Sequence, residues 1–262
     1  VRNGDIHLLE VTSRTSFKLT DGEDDSTRGL ADFIAQEEMG RSTGYWWSPD
    51  SCYVAFTEVA EKHIPEFLIT HVGSDLLGTN AIESHRYPFA GQDNPRVRVG
   101  IAEVDSKECV WVESTEDEYI ARVDWFPDNS LSLQTESRDQ QHLKVRKFSI
   151  EDSTLTTVLE ENSETWINLH NMLRPLSSGG FLWASERTGF SHIYLFHEGD
   201  LLALTKGEWQ VDSIESVDES GGTIFFTGTK DGHTEKHLYK MSLEGESVEK
   251  VTSESGIHSV SI

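Results

Sequence analysis

Short apolar runs rich in Val, Ile, Phe, Tyr and Trp recur along the 262 residues, each closed off by Gly, Asp, Asn or Ser. That rhythm marks short strands joined by turns, because a strand alternates its faces every second residue and turn residues punctuate its ends. No long segment repeats its apolar positions with the roughly 3.6-residue spacing of a helix, and no run approaches the roughly 18 apolar residues of a membrane-crossing helix. The pattern predicts an all-β protein.

Two copies of one unit stand out, Trp47-Ser48-Pro49-Asp50 and Trp125-Phe126-Pro127-Asp128. In each, a strand ends at an aromatic, Pro-Asp makes a tight turn and a second strand follows, as in the inner hairpin of a propeller blade. Weaker versions follow at 181–184 with 192–197 and 201–205, then at 223–227 with 237–243 and 248–252. The predicted blades span about 42–113, 119–160, 166–205 and 209–252, after the tail of another before about residue 20, making about four and a half four-stranded blades. Propellers close with about four to eight blades. The chain is then a partial β-propeller, whose two end blades expose apolar faces for something else to cover, or a closed four-bladed ring.

The length allows one large β domain or two smaller ones, and the repeats read residues 1–262 as one partial propeller. The blade at 42–113 is oversized by a block at about 60–95. This block is polar and turn-rich (Glu61-Lys62-His63, Gly73-Ser74-Asp75, Gly78-Thr79-Asn80) yet carries Ile64, Phe67, Leu68, Ile69, Leu76 and Leu77. An insertion of that size reads as a functional arm or as a surface hairpin. The chain also opens at Val1 within a strand-and-turn pattern, Asn3-Gly4-Asp5 followed by Ile6-His7-Leu8-Leu9, which reads as the interior of a longer protein.

Charge narrows the partners. With 22 basic and 46 acidic residues the net charge is −24, and no basic cluster offers the positive face that a phosphate backbone requires, so nucleic acid is excluded as a partner. The acidic runs at 21–25 and 116–118 read as solvated loops. The two cysteines, Cys52 and Cys109, fall in apolar strand-like settings and read as buried reduced thiols. With no Asn-x-Ser/Thr sequon in the sequence, they point to a cytoplasmic location. Among eleven histidines, His233 and His237 have the closest ligand-like spacing, but on a strand it separates them by roughly 13 Å, so no metal or other cofactor is expected. No glycine-rich phosphate loop is present, and no Gly-x-Ser-x-Gly nucleophile elbow. Its nearest approach, Gly189-Phe190-Ser191-His192-Ile193, lacks the second glycine and reads as part of a strand-like run.

The most informative stretch is 32–50, where Glu37 and Glu38 immediately precede the aromatic strand Gly44-Tyr45-Trp46-Trp47. Adjacent carboxylates repel unless a cation lies between them, so a pair held in a cavity is a receptor for an ammonium group. Taken alone, a Glu-Glu pair is also ordinary on a solvated helical turn. The flanking residues turn the reading, because the stretch resembles the Glu-Glu motif of the dipeptidyl peptidase IV family of serine peptidases. Ile64-Pro65-Glu66-Phe67, Tyr87-Pro88-Phe89-Ala90-Gly91 with Asn94, the segment 119–125, Trp166-Ile167-Asn168, the segment 187–194 and Gly207-Glu208-Trp209 all look like family landmarks. Several resemble the cytosolic-type branch more closely.

The resemblance implies an eight-bladed ring of which this chain supplies about half, and a parent enzyme that releases N-terminal dipeptides of the Xaa-Pro or Xaa-Ala type. It implies that Glu37 and Glu38 grip the free N-terminal amine of a peptide substrate and that the 60–95 arm joins a homodimer. It also implies that a Ser-Asp-His triad belongs to an α/β-hydrolase domain outside this chain, so the chain alone is expected to be inactive. His170, expected at the start of an inner strand, falls near the family's S2 pocket, and a packed core histidine is the other reading. The competing function is a non-catalytic propeller, either a binding scaffold or an inactive relative.

Overall fold

The computed structural model describes residues 1–22, 25–73, 81–113, 119–245 and 247–262. Residues 23–24 of the acidic run at 21–25, the whole run at 116–118, and the 74–80 part of the insertion with Leu76 and Leu77 lie outside the described residues. Strands β1 (His7–Glu10) and β2 (Thr15–Lys18) form a hairpin. Next come β3 (Ser26–Leu30), helix α1 (Phe33–Glu37), β4 (Thr43–Trp47), β5 (Tyr53–Ala60), β6 (Glu66–Thr70), β7 (Ile82–Arg86), β8 (Arg96–Glu103) and β9 (Cys109–Trp111). They build a five-stranded sheet, β3-β4-β5-β8-β9, with β6-β7 as a separate hairpin.

Three four-stranded sheets follow, each made of consecutive strands. The first contains β10 (Tyr119–Trp125), β11 (Leu131–Glu136), β12 (His142–Ser149) and β13 (Thr154–Asn162). The second contains β14 (Arg174–Pro175), β15 (Phe181–Ser185), β16 (His192–His197) and β17 (Asp200–Ala203). The third contains β18 (Val211–Asp218), β19 (Thr223–Gly228), β20 (His237–Ser242) and β21 (Glu249–Lys250). Among the described residues no helix is long and apolar enough to cross a membrane.

The chain divides into two compact units, Val1–Trp125 with Asn129–Arg138 and Val145–Thr157, and Phe126–Asp128 with Asp139–Lys144 and Val158–Ile262. In the first, β5 opens on the apolar run Tyr53-Val54-Ala55-Phe56 and is buried on both faces. Val54 and Phe56 join Ile6, Leu19 and Ala102 in one cluster, while Ala55 joins Val99, Ile101, Val123 and Leu133 in another. An ion-pair chain crosses the same unit: Lys18 lies 2.9 Å from Asp5, Asp5 faces Arg28, Arg28 meets Glu58, and Glu58 receives Arg98 at 2.5 Å. Arg28, Asp5 and Glu58 are buried, so each charge is paired where water cannot screen it. In the second unit Leu182, Ala184, Ile193, Ile214, Phe226 and Tyr239 share one core.

The Pro-Asp repeats are turns of one design. Ser51 and Asn129, the residues after each Pro-Asp, both take positive φ, at 63° and 60°. In the first turn the Asp50 carboxylate accepts from the Ser48 hydroxyl at 2.6 Å and the Cys52 amide at 2.9 Å, and the Asn129 side-chain amide of the second turn donates to it at 2.8 Å. A second repeat escaped the sequence reading. The third strand of each four-stranded sheet opens on a histidine, and each bonds to a residue at or just beyond the end of the fourth strand: His142 to Asn162, His192 to Thr205 and His237 to Thr252. Thr205 and Thr252 also accept the next backbone amide, from Ile193 and Leu238. His192 packs edge-on against Trp209 at 5.1 Å, and His258 stands 5.1 Å from His237 in the corresponding place.

Several expectations are corrected. The blade placed at about 42–113 starts earlier, because β3 adds a fifth strand by pairing with β5 and β4. Cys52 and Cys109 are exposed free thiols, one in the Pro-Asp turn and the other opening the outermost strand β9. Gly189-Phe190-Ser191 belongs to the connection between β15 and β16, where Gly189 takes φ 93° and its amide closes the turn on the Glu186 carbonyl at 2.8 Å. His237 is buried and its ring nitrogens bond within the chain, to Thr252 at 2.9 Å and to Glu235 at 2.7 Å.

Glu136 on β11 is buried, and neither of its carboxylate oxygens has a hydrogen-bond partner among the described residues. Burial, opposed by the Arg122 charge, pushes its carboxyl from 4.5 up to about 7. The folded state therefore holds this proton more tightly than the unfolded chain, and stability falls as pH rises from about 4.5 through 7. Glu136→Gln is expected to be more stable than the parent by about 3 kcal/mol at pH 8, with the difference shrinking towards pH 4.5 in denaturant titrations. A pH-independent difference would contradict this assignment.

Candidate functional site

The position of Glu37 and Glu38 follows from an unusual edge on β5. Strand β4 pairs with its first half, Tyr45 opposite Phe56 and Trp47 opposite Val54, while β3 pairs with its second half, Ser26 opposite Ala60 and Arg28 opposite Glu58. The two strands meet at Gly29 opposite Gly44 and Leu30 opposite Thr43. Gly29 takes φ 78°, and a Cβ on Gly44 would lie 2.5 Å from the Leu30 amide nitrogen, so the meeting point requires glycine on both strands. The buried Thr57 hydroxyl seals the joint, 3.0 Å from the Leu30 carbonyl oxygen and 3.4 Å from that of Gly44. Since β3 cannot run on through the place β4 occupies, the chain leaves the sheet after Leu30 and returns at Thr43. The glutamates ride on that excursion.

Helix α1 starts with an Asp32 N-cap whose carboxylate accepts from the Ala35 amide at 3.1 Å, and it ends where the Glu38 amide donates to the Ile34 carbonyl at 2.9 Å. Ala35 and Met39 are buried beneath it. The return path is fixed by Arg41, also buried, whose guanidinium donates to the carbonyls of Thr43 at 2.9 Å and Ile120 at 3.1 Å and lies 3.7 Å from Asp32. Burial pushes the Arg41 pKa down, with Asp32 opposing and Arg122 reinforcing. On this anchored support Gln36, Glu37 and Glu38 face solvent. Neither glutamate side chain forms a hydrogen bond or ion pair with a described residue. The arrangement presents two adjacent negative charges on a fixed backbone, which can accept hydrogen bonds from one cation.

His170 belongs to the second unit and lies in the loop before β14, not at the start of an inner strand. The chain there is held by side-chain bonds rather than by a ladder. The His170 Nδ1 accepts from the Met172 amide at 3.1 Å, Nε2 lies 2.7 Å from the Ala184 carbonyl oxygen, and the ring packs on Trp183 at 4.3 Å. Both nitrogens are thus occupied within the chain. Sequence reading missed Arg41, Thr57 and the Gly29/Gly44 pair. The two glycines were the available signal, since each stands where a bulkier residue would suit a strand better.

The sequence model described as dipeptidyl peptidase IV (DPP IV) N-terminal region matches residues 1–262. The chain belongs to this family. A probable dipeptidyl-aminopeptidase B of Aspergillus niger is 28% identical over 296 aligned residues, covering 100% of this chain and 33% of that protein. A probable dipeptidyl peptidase 4 of Neosartorya fischeri is 29% identical over 261 residues, covering 92% of this chain and 34% of that protein. The chain thus spans about a third of the length of these curated relatives. The crystal structure of Porphyromonas gingivalis dipeptidyl peptidase 4 superimposes with a TM-score of 0.88 at 24% identity, over 98% of this chain and 37% of that one. That likeness shows the fold: the sheets described above are blades of a DPP IV-type N-terminal propeller.

The joint that places the glutamates is open to test. Gly44→Ala forces a methyl group onto the backbone of Gly29 and Leu30, at 2.5–2.6 Å, and is expected to cost about 2–3 kcal/mol of stability. Denaturant unfolding of the folded protein measures it. A variant as stable as the parent would show that β3 and β4 do not meet there.

Proposed function

We propose that this chain is the substrate-registering propeller portion of a serine-type dipeptidyl peptidase, in which Glu37 and Glu38 together receive the ammonium terminus of a peptide. The observation that carries the proposal is two adjacent, exposed carboxylates with no partner among the described residues, on a support that is itself buried and capped. The pair stands at the C-terminal end of a helix, where the backbone's own partial charge is negative, so the helix does not offset the repulsion. A bound ammonium group would do so. The names of the relatives, dipeptidyl-aminopeptidase B and dipeptidyl peptidase 4, support the same reaction class.

In this mechanism the glutamates register the substrate and take no part in bond breaking. Charge-assisted hydrogen bonds fix the terminus, which places the bond after the second residue at the serine of a Ser-Asp-His triad on an α/β-hydrolase domain outside this chain. Substrates would be Xaa-Pro or Xaa-Ala peptides, with the ring edge of His170, whose nitrogens are occupied, lining the pocket for the first side chain. Phe67, Leu68 and Ile69, exposed on the β6-β7 hairpin, support a homodimer contact there. Two exposed free thiols support a reducing, cytoplasmic location.

Each charge-assisted hydrogen bond contributes roughly 1.5–3 kcal/mol. In the full-length enzyme, Glu37→Ala or Glu38→Ala is therefore expected to lower kcat/KM on a dipeptide amide about 10- to 100-fold, and the double variant more. Reaction of the triad serine with a phosphonylating probe that lacks an amine should persist. Unchanged turnover of free-amine substrates by the double variant would return the pair to the solvated-turn reading.

A further inference from the structure

We infer that Phe33 is a positioning residue for Glu37 and that it acts through the β6-β7 hairpin; the inference rests on the amine-receptor reading above. A five-residue helix is too short to hold its own conformation in water, so its orientation is set by what its side chains touch. On one flank Ala35, Met39 and Arg41 fix it to the body of the unit. On the other, the half-buried Phe33 ring meets Tyr87 edge-on at 5.1 Å and His85 at 6.4 Å. Tyr87 is in turn edge-on to Phe89 at 5.1 Å, and Phe67 lies 6.4 Å from Tyr87 and 5.9 Å from Phe89.

The part of the hairpin that Phe33 touches is its root, and the root is firmly tied. The Tyr87 amide donates to the Pro65 carbonyl at 3.1 Å, and the Arg86 guanidinium donates to the Ile64 carbonyl at 2.6 Å and to Glu66 at 3.0 Å. Ile64 itself is buried. Phe33 and Glu37 are four residues apart and share one helical face, so the ring that docks on the hairpin holds the face that carries the Glu37 carboxylate. Glu38 follows the last helical residue and adjoins the buried Met39, so the body of the unit holds it. The two glutamates thus depend on different neighbours. Loss of the Phe33 contact should displace Glu37 and spare Glu38.

The test is a set of double-mutant cycles in the full-length enzyme, read on a free-amine dipeptide amide. Phe33→Ala is expected to lower kcat/KM about 5- to 30-fold, mainly through KM. The loss should nearly vanish in a Glu37→Gln background and keep its full size in a Glu38→Gln background. Phe33→Tyr should restore activity, and labelling of the serine by the amine-free probe should stay at the parental rate. Tyr87→Leu removes the same contact from the hairpin side and should give the same pattern, which keeps the inference open to test if Phe33→Ala does not fold. Equal losses in both backgrounds, or no loss at all while Glu37→Gln itself is impaired, would overturn the role of Phe33 and leave the amine receptor standing. Full activity of Glu37→Gln would instead overturn the receptor, and the inference with it.

Discussion

Everything distinctive about the Glu37-Glu38 site depends on two strands sharing one edge. In an ordinary four-stranded blade a single strand pairs along the length of its neighbour. Here β5 is eight residues long, and its edge is divided between β4 and β3, which abut at two glycines under the Thr57 hydroxyl. A backbone that arrives at an occupied edge must leave the sheet, and the excursion it makes is short enough to be held at both ends. Ala31 and Arg41 are buried at those ends, and Asp32 and Arg41 supply the hydrogen bonds that the backbone lacks there.

The same division explains where charge is neutralised and where it is not. Behind the joint, β3 is locked to β5 by the Arg28-Glu58 pair, extended through Asp5 to Lys18 and through Arg98 to the face of Trp111 at 3.6 Å. Buried charges in this unit have partners because an unpaired one costs several kcal/mol. Glu136, whose carboxyl rises to about 7, shows the other response to burial, in which the group keeps its proton. Glu37 and Glu38 differ from these buried groups, for they are exposed and have no side-chain partner among the described residues. Facing solvent, they need no partner to offset a cost of burial.

How much of this was legible in the sequence follows from what kind of force specifies each element. Trp47-Ser48-Pro49-Asp50 and Trp125-Phe126-Pro127-Asp128 announced their hairpins because Pro and a turn-forming Asp encode the turn locally, and the structure places β4-β5 and β10-β11 around them. β3 was not legible, since Ser-Thr-Arg-Gly-Leu has neither alternation nor strong strand formers and becomes a strand through pairing with β5 and the Arg28-Glu58 contact. The opening histidines of β12, β16 and β20 were hidden for a similar reason. Their role shows only when strand three and the end of strand four lie side by side, though the recurrence of His-Ile-Tyr at 192–194 and His-Leu-Tyr at 237–239 was a visible clue. The exposure of Cys52 and Cys109 depends on a turn and an outer strand, not on the apolar residues around them. The Glu-Glu pair was legible as chemistry and as a motif, while the anchoring by Arg41 and Thr57 was not.

The central claim is that Glu37 and Glu38 jointly bind a peptide's terminal ammonium group. A crystal structure of the full-length enzyme with a free-amine dipeptide-type ligand tests it most directly. The account predicts the ligand nitrogen within about 3 Å of a carboxylate oxygen from each glutamate, with α1 and its Asp32 and Arg41 anchors unmoved. A ligand whose amine is held by other residues, with both glutamates left facing solvent, would contradict it.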